Sequence, residues 1–238
     1  MSTPVRVWRQ VTARVRVQRD HGAGFRWLEL EVPPGFVAPV AGQFCQLLLD
    51  PPSPVLLPRP MSVASVTRKG TRLVIGFLYA PVGMGTRALA ALEPGDTLSL
   101  TGPLGRGYPL HEEGTPVLVA GGRGVAPLLM SADVLARSRR TCEFVFGART
   151  AKLLVGLAEA RARLARRGSR LHLATDDGSR GFKGDVVKLL DRLAPTLEGP
   201  LVIHACGPHG MLAAIARWAI DRKSTRLNSS HQIISYAV

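Results

Sequence analysis

Residues 117–127 read Val117-Leu118-Val119-Ala120-Gly121-Gly122-Arg123-Gly124-Val125-Ala126-Pro127. A short apolar run bounded by glycine reads as a strand buried on both faces, the habit of parallel sheets. A helix of about a dozen residues is expected next. A glycine-rich turn between such a strand and a helix puts backbone N–H groups where a dinucleotide pyrophosphate can sit. The turn is not the GxGxxG fingerprint of ordinary dinucleotide-binding dehydrogenases. The second strand closes on Gly147-Ala148-Arg149-Thr150, with no acidic residue for a ribose. An ordinary Rossmann dehydrogenase is therefore a poor fit.

Downstream of Gly114 the same alternation continues. Strands are expected at Cys142–Gly147, Leu171–Thr175 and Leu201–Cys206. Helices are expected at Lys152–Arg167, near Gly184–Leu193 and from Pro208. Alternating strand and helix means an α/β domain with a parallel sheet and crossover helices. Upstream the period changes to two. Val5, Val7, Val11, Ala13, Val15 and Val17 fall on odd positions, with Arg6, Arg14 and Arg16 between them. Further strands are expected at Phe25–Val32, Phe44–Leu49, Met61–Ser65, Leu73–Tyr79 and Thr97–Thr101, between proline and glycine punctuation. With one helical candidate, Thr86–Leu92, this half reads as a small antiparallel β-barrel of Greek-key type. The expected organisation is a barrel over 1–110 and an α/β domain over 114–221. Residues 222–238, RKSTRLNSSHQIISYAV, are polar and aperiodic, and are expected to be a non-native tail without function.

The chain has 238 residues, enough for two ordinary domains. No uninterrupted apolar stretch of about 18 residues is present, so no spanning helix is expected. The N-terminus lacks the apolar core of a signal peptide. Three cysteines at wide spacing offer neither a disulfide framework nor a CxxC metal site. A reducing cytoplasm is the default. The net charge is +14, and only five of the 31 basic residues are lysine. The arginines are scattered and aromatics are only 5%, which argues against nucleic-acid binding. An anionic ligand or an acidic partner suits the charge better.

Two further constellations carry chemistry. Arg59-Pro60-Met61-Ser62 begins a strand of the barrel half. An arginine can neutralise a diphosphate with bidentate geometry, and a serine three residues later can aim its hydroxyl at a ring nitrogen. Downstream, Val82-Gly83-Met84-Gly85-Thr86 opens a helix whose glycines let a phosphate approach. Cys206-Gly207-Pro208 ends the last strand, at the carboxyl edge where open α/β sheets bind ligands. Each motif alone also has a plain structural reading. Arg59 fits a surface arginine, Gly83–Thr86 a capped turn, residues 121–124 a tight strand–helix turn, and Cys206 a core thiol.

Taken in order, RPMS, VGMGT, GPLGRGY (102–108), AGGRGVAPL, TDDGS (175–179), GFKGDV and ACGP resemble the ferredoxin–NAD(P)H reductase superfamily. Within it, the chain looks most like the electron-transfer subunits of dihydroorotate dehydrogenase B, from Val5 to about Asp221. The resemblance implies an FAD-binding barrel followed by an NAD-binding α/β domain. It implies FAD contacts at Arg59, Pro60, Met61, Ser62, Leu78, Tyr79 and Ala80, and at Gly85 and Thr86 for the diphosphate. It implies NAD(H) contacts at Gly121, Gly122, Gly124, Cys206, Gly207 and Pro208. Ser62 and Cys206 are then the candidate catalytic residues, and Asp176 and Asp177 fit either a ribose contact or an exposed turn. The implied activity is that of a flavoprotein passing electrons between FAD and NAD(H), for oxidation of dihydroorotate to orotate in pyrimidine biosynthesis. The implied partner is an FMN-containing dihydroorotate dehydrogenase catalytic subunit, with no nucleic acid and no membrane.

Two departures stand out. Arg123 occupies the place of a third glycine in the turn. The four cysteines that hold a [2Fe–2S] cluster in such subunits, C-x4-C-x2-C and one more, are missing. The cluster is expected only in a full-length parent. Alternatives within the class are another flavin or ferredoxin reductase, or a sulfhydrogenase gamma-type subunit. A non-catalytic docking module is the alternative from another class.

Overall fold

The computed structural model describes residues 8–50, 55–165, 168–222 and 225–229. Its first half is a closed six-stranded barrel with strand order β1-β2-β5-β4-β3-β6. The strands are β1 (Arg9–Gly22), β2 (Phe25–Val32), β3 (Phe44–Leu49), β4 (Arg59–Lys69), β5 (Arg72–Tyr79) and β6 (Thr97–Leu104), all paired antiparallel. The period-2 pattern does its expected work. Ala13 and Val15 in β1, and Leu28, Leu30 and Val32 in β2, are buried, and closure leaves the barrel no free sheet edge. The Arg59-Pro60-Met61-Ser62 motif forms the first four residues of β4 and lies wholly within the strand. A short helix, α1 (Met84–Ala90), stands between β5 and β6.

The second half is a sheet of order β10-β9-β8-β7-β11-β12, parallel at every pairing. It comprises β7 (Thr115–Gly121), β8 (Glu143–Ala148), β9 (Arg170–Thr175), β10 (Phe182–Lys183), β11 (Leu201–Cys206) and β12 (Thr225–Ser229). Helices α2 (Val125–Arg137), α3 (Leu157–Leu164), α4 (Val186–Leu193) and α5 (His209–Asp221) cover it. No described helix is long and apolar enough to cross a membrane.

Three differences from expectation have local causes. The expected helix over 152–167 is broken: a 3-10 turn at Ala151–Leu153 precedes Gly156, whose φ of +85° interrupts the helix and starts α3 one residue later. Pro208 is the N-cap of α5 and so precedes its first turn. Within the segment expected to lie outside the fold, Thr225–Ser229 pairs in parallel with the outer edge of β11. An open strand edge presents unpaired N–H and C=O groups to any extended segment within reach.

The two halves share their interior. One continuous core runs from Val63 and Phe77 of the barrel to Leu128 and Leu129 of α2. Helix α2 lies directly on β4. The strand carrying the arginine motif and the helix following the glycine turn are thus packed face to face.

Candidate functional site

A cleft of about 1060 Å³ opens between the barrel and the carboxyl ends of the parallel strands. Arg59–Ser62, Leu78–Ala80 and Thr86 form its barrel wall. Gly121, Gly122, Gly124 and Cys206–Pro208 form the opposite wall. In the sheet register Cys206 lies beside Ala120, and Gly121 beside Gly147, so strands β11, β7 and β8 end together at the cleft. That edge is where open α/β sheets bind their ligands.

Of the residues expected to hold FAD or NAD(H), Gly85 stands off the cleft wall, as does Asp177 of the two candidate ribose contacts. It is buried in α1, and a Cβ there would press on Arg59 Cδ at 3.1 Å and Val55 Cγ1 at 3.2 Å. The absence of a side chain at Gly85 leaves room for that of Arg59. The Arg59 guanidinium donates from Nη2 to the Leu57 carbonyl at 3.2 Å. Its Nε is a buried donor without a protein partner. A buried cationic donor left unpaired is costly unless an anion reaches it.

The Thr86 hydroxyl bonds back to Gly83, donating to its carbonyl at 3.1 Å and accepting from its N–H at 3.0 Å. This closes the start of α1. Tyr79 is 4% exposed and shares hydrogen bonds with the Gln18 amide. Gln18 in turn donates to the Leu89 carbonyl of α1 at 2.7 Å. Burial pushes the Tyr79 phenol up to about 12, so it stays neutral. Its hydroxyl is occupied there. Ser62 stands opposite Phe44 of β3, and its hydroxyl makes no side-chain hydrogen bond to the described residues.

The glycines of the second wall serve two ends. A Cβ on Gly124 would meet the Cys206 carbonyl oxygen at 2.0 Å, and one on Gly121 would meet Met211 Sδ at 2.5 Å. These two let the β7 turn and the β11 turn touch. Gly122 has open space around its Cβ position and a φ of +50°, so its backbone faces the cleft unhindered. Arg123 is exposed and lines the cleft, so it does not fill the turn. Asp176 also lines the cleft, whereas the Asp177 carboxylate accepts from the Ser179 hydroxyl and N–H. The Ser179 hydroxyl bond is the chief reason the Asp177 carboxyl is held below its ordinary range.

Reading the chain alone missed Arg149, at the end of β8, and Lys188, from α4, which line the same cleft. Each is an exposed cation among many, and only the fold brings them here.

The fold has close relatives among solved structures. It matches a structure of an NADH-dependent reduced ferredoxin–NADP oxidoreductase with a TM-score of 0.76 at 24% identity, over 91% of this chain and 75% of that one. It also matches the Amycolatopsis cytochrome P450 reductase GcoB with a TM-score of 0.70 at 26% identity, over 94% of this chain and 70% of that one. Residues 118–217 match the oxidoreductase NAD-binding domain family. With the sequence relatives given next, the barrel, the parallel sheet with its NAD-binding family match and the cleft joining them mark an FAD-dependent NAD(P)H oxidoreductase of the ferredoxin-reductase type.

Sequence relatives narrow the class. The dihydroorotate dehydrogenase B (NAD(+)) electron transfer subunit of Desulforamulus reducens is 34% identical over 192 residues, 80% of this chain and 70% of that protein. The subunit of the same name from Geobacillus kaustophilus is 37% identical over 178 residues, 74% of this chain and 65% of that protein. The chain belongs to this family of electron-transfer subunits, and its match spans about two thirds of its relatives' length.

Proposed function

We propose that the chain passes electrons between NAD(H) and a one-electron partner through FAD, and that in its complex this serves the oxidation of dihydroorotate to orotate by an FMN-containing catalytic subunit. One observation carries the reading. Two cradles, one anion-ready and one glycine-lined, open on a single cleft from opposite walls. The relatives' names supply the reaction and imply the catalytic subunit.

The residues fit the groups. Arg59, with its unpartnered buried Nε and the space that Gly85 leaves it, suits the FAD diphosphate. Pro60, Met61, Leu78, Tyr79 and Ala80 offer an apolar wall for a flat ring, with the Ser62 hydroxyl available to its nitrogens. Gly121, Gly122 and Gly124, with Cys206, Gly207 and Pro208, suit the nicotinamide nucleotide. Bound flavin supplies a ring that takes a hydride as a pair and releases electrons singly. The protein's own residues would hold the two nucleotides on facing walls, exclude water with the apolar wall, and offer the Ser62 hydroxyl to a flavin ring nitrogen. No side chain is asked to act as general acid or base.

A [2Fe–2S] cluster does not fit this chain. Cys45 lies in the barrel core against Gly102, Cys142 beside Ser169 at the foot of β8, and Cys206 at the cleft. No cluster of three or more ligating side chains occurs among the described residues.

The test is the visible spectrum of the purified chain before and after NADH. Flavin bands that bleach are expected, and Arg59→Ala should lower the retained FAD severalfold. Colourless protein that takes up no FAD, or a fully yellow Arg59→Ala variant, would overturn the assignment.

A further inference from the structure

We propose that Arg140 is a positioning residue for hydride transfer: it locks the segment joining barrel to sheet, and so sets how the two walls of the cleft face each other. The proposal rests on the reading that the cleft holds a flavin and a nicotinamide.

Residues 108–115 form the joint. At its barrel end the Tyr108 N–H donates to the Ala41 carbonyl at 2.9 Å. At its sheet end the Thr115 N–H donates to the Pro200 carbonyl at 2.9 Å. Between them, carbonyls turn toward one guanidinium. Arg140 donates to Leu110 O, to Glu112 O at 2.8 Å and to Gly114 O at 2.9 Å. Three carbonyls held by one planar fork are fixed in angle as well as in distance, which a lysine cannot do.

The way Arg140 is presented points to the same role. Helix α2 ends in a Schellman arrangement, with Arg139 N–H donating to Ala136 O at 3.3 Å and Arg140 N–H to Leu135 O at 2.9 Å. The left-handed residue that such an ending needs is Arg139, at φ +58°, where glycine would be unstrained. Strain of this kind persists only where the surroundings impose it. Here it swings Arg140 off the helix and onto the joint.

The joint is mechanically connected to the site. α2 begins at Val125, directly after Gly124 in the cleft, and ends at Arg137 beside the joint. The same helix packs on β4, which carries Arg59–Ser62. Behind the cleft, Tyr108 stands edge-on to His204 at 5.3 Å, two residues before Cys206 in β11. A loosened joint therefore tilts one wall against the other. Hydride transfer is intolerant of such a tilt: a misplacement of about 1 Å can cost about a hundredfold in rate.

The test uses the full FAD-loaded chain and the Arg140→Met variant, which keeps the stem and loses the fork. NADH is mixed in single-turnover stopped flow, following flavin bleaching and the long-wavelength charge-transfer band of the stacked rings. Expected are a fall in hydride-transfer rate of roughly 10- to 100-fold and a weakened band, with FAD content and NADH Kd little changed. A merely structural arginine would lower thermal stability and leave rate and band alone; that result overturns the proposal. Should Arg140→Met not fold, Arg140→Lys carries the test. It can satisfy one carbonyl of the three, so its rate and band must fall, and wild-type values would overturn the proposal. A wild-type protein that NADH does not bleach takes down the flavin–nicotinamide reading itself, a different result from a wild type that bleaches and a variant that matches it.

Discussion

His204 sits in the middle of β11, 1% exposed, with its Nδ1 buried and unpartnered. Burial, and then the positive charge of Arg140, push its pKa down to about 4. The folded protein thus keeps it neutral where the unfolded chain, at about 6.5, would take a proton. Between those values the unfolded state binds more protons, so stability rises with pH through the window and is lost as pH falls from about 6.5 to about 4. The span is worth up to about 3 kcal/mol by linkage. Urea melts at pH 7 and pH 4.5 should show the loss, and His204→Phe should remove most of it; an unchanged pH slope in that variant would contradict the assignment. Arg139 makes the converse prediction. Arg139→Gly relieves a left-handed side chain and should stabilise by about 0.5–1 kcal/mol, read as a raised urea midpoint, with NADH reactivity unaltered because Arg140 keeps its place.

At the scale of elements, the turns at the cleft are packed against one another. Gly124 allows the start of α2 to touch the Cys206 carbonyl, where a Cβ would stand at 2.0 Å. Gly124→Ala must push the β7 and β11 turns apart. It should cost about 1–3 kcal/mol and raise the NADH Kd severalfold while FAD stays bound, as NADH titration of the yellow variant would show. A variant with unchanged NADH affinity would mean that the turn has slack. Most elements were legible because each is closed by local chemistry. Proline and glycine punctuate the barrel strands, the glycine turn follows an apolar run, and Asp185 caps α4 by accepting from the Val187 and Lys188 N–H groups. The motifs on the cleft walls were readable for the same reason, since they sit at element ends. The break at Gly156 was not, because Leu153, Leu154 and Leu157 keep a helical spacing across it. Nor were Arg149, Lys188 and Arg140. Each reaches the cleft or the joint only in the folded chain, and none is marked out by its neighbours in sequence.

At the scale of the molecule, barrel and sheet are expected to unfold as one. A single core crosses from Phe77 to Leu128, and β7 sends Leu118 and Ala120 into it while Val117 and Val119 enter the core on the other face. A strand shared between two cores cannot lose one without uncovering half of the other. His21 of β1 adds a hydrogen bond to Glu159 of α3 at 3.1 Å, across the same boundary. Trp27 reports on the barrel at 4% exposure and Trp218 on the far face of the sheet at 7%. In a Trp8→Phe/Trp218→Phe variant and in a Trp8→Phe/Trp27→Phe variant, the fluorescence transition in urea should therefore coincide with that variant's own far-UV circular-dichroism transition. Within either variant, a fluorescence midpoint separated from the circular-dichroism midpoint would show that the halves melt independently. The positioning role of Arg140 would then have to work through the joint alone, without help from a common core.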